Sequence, residues 1–188
     1  DHYFHVPPLY FSWGDANEST SLLANVFWHE KKTGYDFGVA PLYFRGRDGP
    51  SHYDVAPPLF WSWGDEQRSN WIAGPVFHRE GAEGWDTGVL PLWIGGLHGK
   101  REYNLVPPLL FYRSSDGVES ATWFANTYYE ARADGFTLVS VPLVFAGRDG
   151  KTHYTYVPQL FFRWGDAAET TTVAANVFYR SGPDGFDL

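Results

Sequence analysis

Seven aromatic residues recur in fixed register along this chain: Tyr3, Tyr53, Tyr103 and Tyr154 at one position, and Trp13, Trp63 and Trp164 at another. Flat, electron-rich rings held at strand ends can stack on sugar rings or enclose a cationic head group. These seven are therefore the candidate ligand-binding residues. The competing role is structural, with the same rings forming ladders between sheets and stabilising by about 1.5–3 kcal/mol each when buried. A third use is the aromatic girdle of an outer-membrane β-barrel. Tyr3 and Trp13 lie ten residues apart on one face, which a single extended strand would spread over about 33 Å.

The other recurring polar residues read as turn and strand chemistry. Gly34, Gly84, Gly135 and Gly185 are equivalent and are followed two residues on by Asp36, Asp86, Thr137 and Asp187. The glycine suits a left-handed turn position, and the aspartate suits a hydrogen bond to the turn backbone. Asp15, Asn17 and Glu18 cluster in one loop, but no calcium-loop spacing is present, so turn chemistry is expected there as well. Asn25, Asn126 and Asn176 recur with Pro75 in the remaining copy, which suits a bulge residue bonded to the backbone. His2, His52 and His153 are equivalent, while His5, His29, His78 and His98 share no register. Neither set has metal-ligand spacing, so no metal and no cofactor is expected. No Gly-x-Ser-x-Gly, His-Glu-x-x-His, phosphate-loop or dinucleotide motif occurs, and near-identical copies would build several half-sites where catalysis needs one asymmetric pocket. The chain is not expected to be an enzyme.

These residues are positioned by a unit of about 50 residues written three and three-quarter times, with repeats at about 2–51, 52–101, 102–152 and 153–188. Val6-Pro7-Pro8-Leu9 aligns with Ala56-Pro57-Pro58-Leu59, Val106-Pro107-Pro108-Leu109 and Val157-Pro158-Gln159-Leu160. Apolar centres recur every 16 or 17 residues between polar clusters such as Arg47-Asp48-Gly49 and Ser115-Asp116-Gly117. Such clusters between β-branched and aromatic runs are hairpin signals. The expected fold is all-β: tandem repeats, each of three antiparallel hairpin segments, forming a meander of about 11 visible strands. One face of the segment at 52–63 reads Tyr53, Val55, Pro57, Leu59, Trp61 and Trp63. Proline cannot donate to a ladder, so the mid-segment prolines are expected to kink each segment from one sheet to another. Two packed sheets sharing an aromatic core, or an elongated β stack, would follow; a closed up-and-down barrel is the alternative.

At 188 residues the chain is read as a single repeat domain, expected to be an excerpt of a longer array because Asp1 and Leu188 both fall inside repeats. The excess of 22 acidic over 14 basic residues gives a formal charge of −8, which argues against nucleic acid as a partner. No transmembrane helix is expected, since no run approaches about 18 apolar residues. With no cysteine and 19% aromatic content, stability must come from packing and backbone pairing.

Gly34-Tyr35-Asp36 and Gly84-Trp85-Asp86 are similar to the tyrosine-aspartate repeats of large β-shell toxins and adhesins, without their following Gly-Arg-Leu. The stretch from Gly84 to Trp93 is likewise similar to choline-binding repeats, without a Pro-Leu-aromatic centre. No functional residue carries over from either. The functional expectation is a secreted or cell-surface structural or adhesive repeat protein that self-associates, end to end or laterally. Glycan binding at the repeated aromatic platforms and an outer-membrane barrel segment are the alternatives.

Overall fold

A computed structural model describes residues 2–7 and 9–188, so Asp1 and the Pro8 half of the Pro7-Pro8 step lie outside the described residues. The chain divides into two compact units, Asp1–Leu90 and Pro91–Leu188. Both are antiparallel meanders.

The first unit holds β1 (His2–Val6), β2 (Tyr10–Gly14), β3 (Glu18–Leu23), β4 (Val26–Lys31), β5 (Gly34–Val39), β6 (Tyr43–Asp48), β7 (Ser51–Ala56), β8 (Phe60–Gly64), β9 (Ser69–Ala73), β10 (Val76–Gly81) and β11 (Gly84–Val89). The second holds β12 (Trp93–His98), β13 (Arg101–Val106), β14 (Phe111–Ser115), β15 (Ser120–Phe124), β16 (Thr127–Arg132), β17 (Gly135–Ser140), β18 (Val144–Asp149), β19 (Thr152–Val157), β20 (Phe161–Gly165), β21 (Thr170–Ala174), β22 (Val177–Gly182) and β23 (Gly185–Asp187). Within each unit, every strand packs extensively only against the strands before and after it. No ladder among the described residues joins β1 to β11 or β12 to β23, so neither unit closes into a barrel. The expected all-β antiparallel hairpin repeat is what the structure shows. Of the two packings expected for it, each unit takes the stack of hairpins.

Three details differ from the sequence expectation. The prolines do not kink a strand from sheet to sheet; they reverse it. Val6 stands opposite Tyr10 and Ala56 opposite Phe60, with the Leu9 and Leu59 N–H groups donating to the Val6 and Ala56 carbonyls at 2.9 and 2.8 Å. The same closure recurs at Leu42, Leu143 and Leu160. A residue without an N–H is tolerated in such a loop because nothing there needs its donor. Each expected strand is therefore two, which is why 23 strands stand among the described residues where the sequence predicts about 11. The girdle geometry falls with the same change, since Tyr3 lies directly opposite Trp13 and not a strand's length away.

The third difference is the core. Among the described residues no hydrophobic side chain is fully buried. The buried positions are Ser114, Thr171 and a set of glycines roofed by aromatic rings. A Cβ at Gly46 would come within 2.2 Å of the Tyr53 ring, and one at Gly38 within 2.2 Å of Phe27. Rings packed over glycines on a neighbouring strand, as Phe27 over Gly38 and Tyr53 over Gly46, take the place of a second layer. Their cross-strand contacts contribute roughly 0.2–1 kcal/mol each, less than full burial would give.

The loops at the proline edge also bond to one another. Two-residue turns with Ala24, Ala125 and Ala175 at φ of 51, 51 and 50° connect the intervening strands. Their N–H groups donate to the Leu9, Leu110 and Leu160 carbonyls of the adjacent proline loops at 3.0–3.1 Å. Asn25 and Asn126 occupy the second position of such turns and donate through Nδ2 to the Ala40 and Val141 carbonyls at 3.0 and 2.6 Å. Their role is thus backbone bonding, as expected, but in a turn instead of a bulge.

Candidate functional site

Antiparallel pairing places directly opposed residues on one face. In the first unit Tyr3, Trp13, Thr20, His29, Asp36, Gly46, Tyr53, Trp63, Asn70, Arg79 and Asp86 stand opposite one another in turn, forming one row across the strands. In the second unit Gly96, Tyr103, Ser114, Ala121, Glu130, Thr137, Gly147, Tyr154, Trp164, Thr171, Arg180 and Asp187 form the equivalent row. Every candidate ring from the sequence therefore lies in one of these rows.

The candidate residues stand opposite one another in pairs across adjacent strands. Tyr3 faces Trp13, Tyr53 faces Trp63 and Tyr154 faces Trp164. Tyr103 faces the buried Ser114, so its repeat lacks the indole. The pairs are not alike. Trp13 and Trp63 are 50% and 45% exposed. Trp164 stacks on Phe162 at 4.6 Å, which occupies one of its faces.

Tyr53 forms the floor of its pair instead of an exposed platform. Its ring covers Gly46, and its hydroxyl donates to Asp36 Oδ1 at 3.0 Å. Lys31 Nζ lies 2.8 Å from the other oxygen of Asp36. Burial, then the hydrogen bond to Asp36, pushes the Tyr53 phenol up to about 12. Burial alone would raise Asp36, but Lys31 and the Tyr53 hydroxyl outweigh it and hold the carboxyl below its usual range. The expected turn-bonding role for Asp36 is thus corrected: it sits inside β5 and links three strands through side chains. In the second unit Thr137 takes its place and accepts from Arg132 at 3.1 Å. Gly34, expected as a left-handed turn residue, instead permits close backbone approach, because a Cβ there would lie 1.7 Å from the Arg47 carbonyl oxygen.

A groove of about 520 Å³ opens beside the Tyr53–Trp63 pair, with Lys31, Asp36, Asp65 and Asn70 among its walls. A second groove, of about 350 Å³, lies beside Tyr3 and Trp13 and is bounded by Asp15, Glu18 and Thr20. Each reaches an aspartate turn. Asp15 Oδ1 accepts the Asn17 and Glu18 N–H groups at 2.6 and 3.1 Å, and Asp65, Asp116 and Asp166 repeat the arrangement. These aspartates build turns, in line with the sequence reading. No group of three or more potential metal ligands is found among the described residues. Sequence reasoning missed Lys31 and Asn70 as groove residues. Lys31 lies two residues beyond the row position His29, and Asn70 is itself a row position beside Trp63; both follow from strand register and not from a recurring residue type.

No family model matches the chain, and no curated protein or solved structure is significantly similar to it.

Proposed function

We propose that this is a structural, adhesive repeat protein of the cell surface or secreted space that self-associates laterally through its proline-leucine edge. The observation that carries the reading is how sharply each unit segregates its turns. The loops at one edge contain no charged residue among those described, and Leu9, Leu42, Leu59, Leu109, Leu110, Leu143 and Leu160 there are 60–71% exposed. The loops at the other edge carry Asp15, Lys32, Asp65, Glu66, Arg68 and Glu83 in the first unit and Lys100, Asp116, Glu119, Asp134, Lys151, Asp166, Glu169 and Asp184 in the second.

Two quantities favour a second copy as the occupant of that edge. The accessible surface is 13168 Å², whereas a compact protein of this mass exposes roughly 9,000 Å². The surplus of roughly 4,000 Å² on one chain exceeds the roughly 1,000–2,500 Å² that each partner gives up in an extensive, permanent interface, so the chain has surface to spare for one. The net charge of −8 also holds charged edges apart between like molecules, leaving the uncharged edges free to meet. Sedimentation velocity over a concentration series tests this. The wild type is expected to form concentration-dependent oligomers, and a Leu42→Ser, Leu59→Ser, Leu143→Ser, Leu160→Ser variant is expected to be monomeric. A wild type that stays monomeric, or that partitions into neutral lipid vesicles as a monomer, would contradict it.

A second reading, glycan binding, is favoured by the Tyr–Trp pairs beside two grooves on the same row. Multivalent display along the repeats would add up weak individual sites.

A further inference from the structure

Resting on that second reading, we infer that the groove beside Trp63 is a binding site for a neutral pyranose, stacked on the indole and hydrogen-bonded to Asp36, Lys31 and Asn70. Charge balance selects the ligand class. The groove is walled by three cations, Lys31, Arg47 and Arg68, and three carboxylates, Asp36, Asp48 and Asp65. Most of these charges are already engaged within the protein. Lys31 pairs with Asp36 at 2.8 Å, Arg47 Nε donates to the Gly49 carbonyl at 3.1 Å, Thr33 donates to Asp48 at 2.6 Å, and Asp65 accepts two backbone N–H groups. A charged ligand would gain no net Coulomb attraction and would lose hydration. A polyhydroxylated neutral ring offers donors and acceptors to both signs, together with an apolar C–H face for an aromatic surface.

The groove also has a rigid floor and a free wall. The Tyr53 ring is held over Gly46 and bonded to Asp36, so it does not compete for the ligand. Trp63 is 45% exposed and stands opposite both Tyr53 and Asn70. The groove beside Trp13 is different in charge: among the described residues its walls carry Asp15 and Glu18 with His2, while Lys31, opposite Glu18 in register, lines the Trp63 groove. Of the two grooves that carry a Tyr–Trp pair, the neutral ligand is therefore assigned to the one beside Trp63.

The test is a titration of the full chain by NMR, following the indole Nε1–H of Trp63 assigned with Trp63→Phe. Methyl β-D-glucopyranoside is the neutral probe, with glucuronate and glucosamine as the anionic and cationic probes. The expected result is a saturable shift with the neutral sugar and a Kd on the order of 1 mM. Trp63→Ala should weaken binding by about tenfold or more, Asp36→Asn by a smaller factor, and Trp123→Ala, far from the groove in sequence and outside its row, should leave it unchanged. Equal binding by Trp63→Ala would overturn this site while leaving glycan binding elsewhere intact. Tighter binding of either charged sugar would overturn the neutral class. No binding of any of the three to the wild type would end the site and remove the support for the glycan reading together.

Discussion

The Tyr53 hydroxyl donates to Asp36 across the intervening strand β6, and the ring that carries it lies on Gly46 of that strand. One side chain thus ties β5, β6 and β7 together where no second layer covers them. Replacing Tyr53 with Phe keeps the ring contact and removes a hydrogen bond to a carboxylate, so a loss of roughly 1.5–3 kcal/mol is expected in urea unfolding. Gly46→Ala drives a methyl group into the ring and should cost about 1–3 kcal/mol. The paired variant should lose less than the sum, because the two residues share one contact.

The same tyrosine gives an optical signature. Its phenol is raised to about 12, above the ordinary value near 10. A raised folded value means stability that is complete below the unfolded pKa and is lost as pH climbs through the folded one. Absorbance titration of phenolate should therefore show a late-ionising component near pH 12 that disappears in Tyr53→Phe.

The aspartate turns contribute to the acid limb alongside Asp36. The backbone N–H of Glu18 joins that of Asn17, the stronger contributor, in lowering Asp15; Glu119 leads Val118 at Asp116, and Glu169 leads Ala168 at Asp166. Depressed folded values give stability that is present above about pH 4 and lost as pH falls through those values. A triple Asp→Asn variant at these positions keeps an acceptor in each turn without its charge. Its Tm is expected to vary less than that of the wild type between neutral and strongly acidic pH.

Ala24, Ala125 and Ala175 hold a left-handed conformation that glycine adopts freely, as Gly74 does in the equivalent turn at φ 57°. Relief of the Cβ clash outweighs the added chain entropy of glycine, so each Ala→Gly substitution should stabilise by about 0.5–1 kcal/mol. Thermal unfolding of the single and triple variants measures this directly.

The hairpins, their polar turns and the face shared by Tyr53, Val55, Trp61 and Trp63 were legible in the sequence. A three-residue loop keeps odd positions on one face, so reading the two strands as one preserved the alternation. The reversal itself was hidden, because Ala-Pro-Pro-Leu carries no Gly, Asn or Asp and is apolar on both flanks, like the middle of a strand. Lys31 and Asp36 were hidden for another reason. They meet Tyr53 through the register of three strands, and no spacing within a single strand encodes that meeting.

In the proposed assembly the proline-leucine edges of two copies meet. The chain lacks cysteine, so single nitroxide labels can be placed cleanly at Leu59→Cys on that edge and at Gln67→Cys on the charged edge. Pulsed dipolar EPR on the assembled protein should give short intermolecular distances for the label at 59 and none for the label at 67. Short distances at 67 with none at 59 would mean that the charged edges meet instead and would overturn association through the proline-leucine edge.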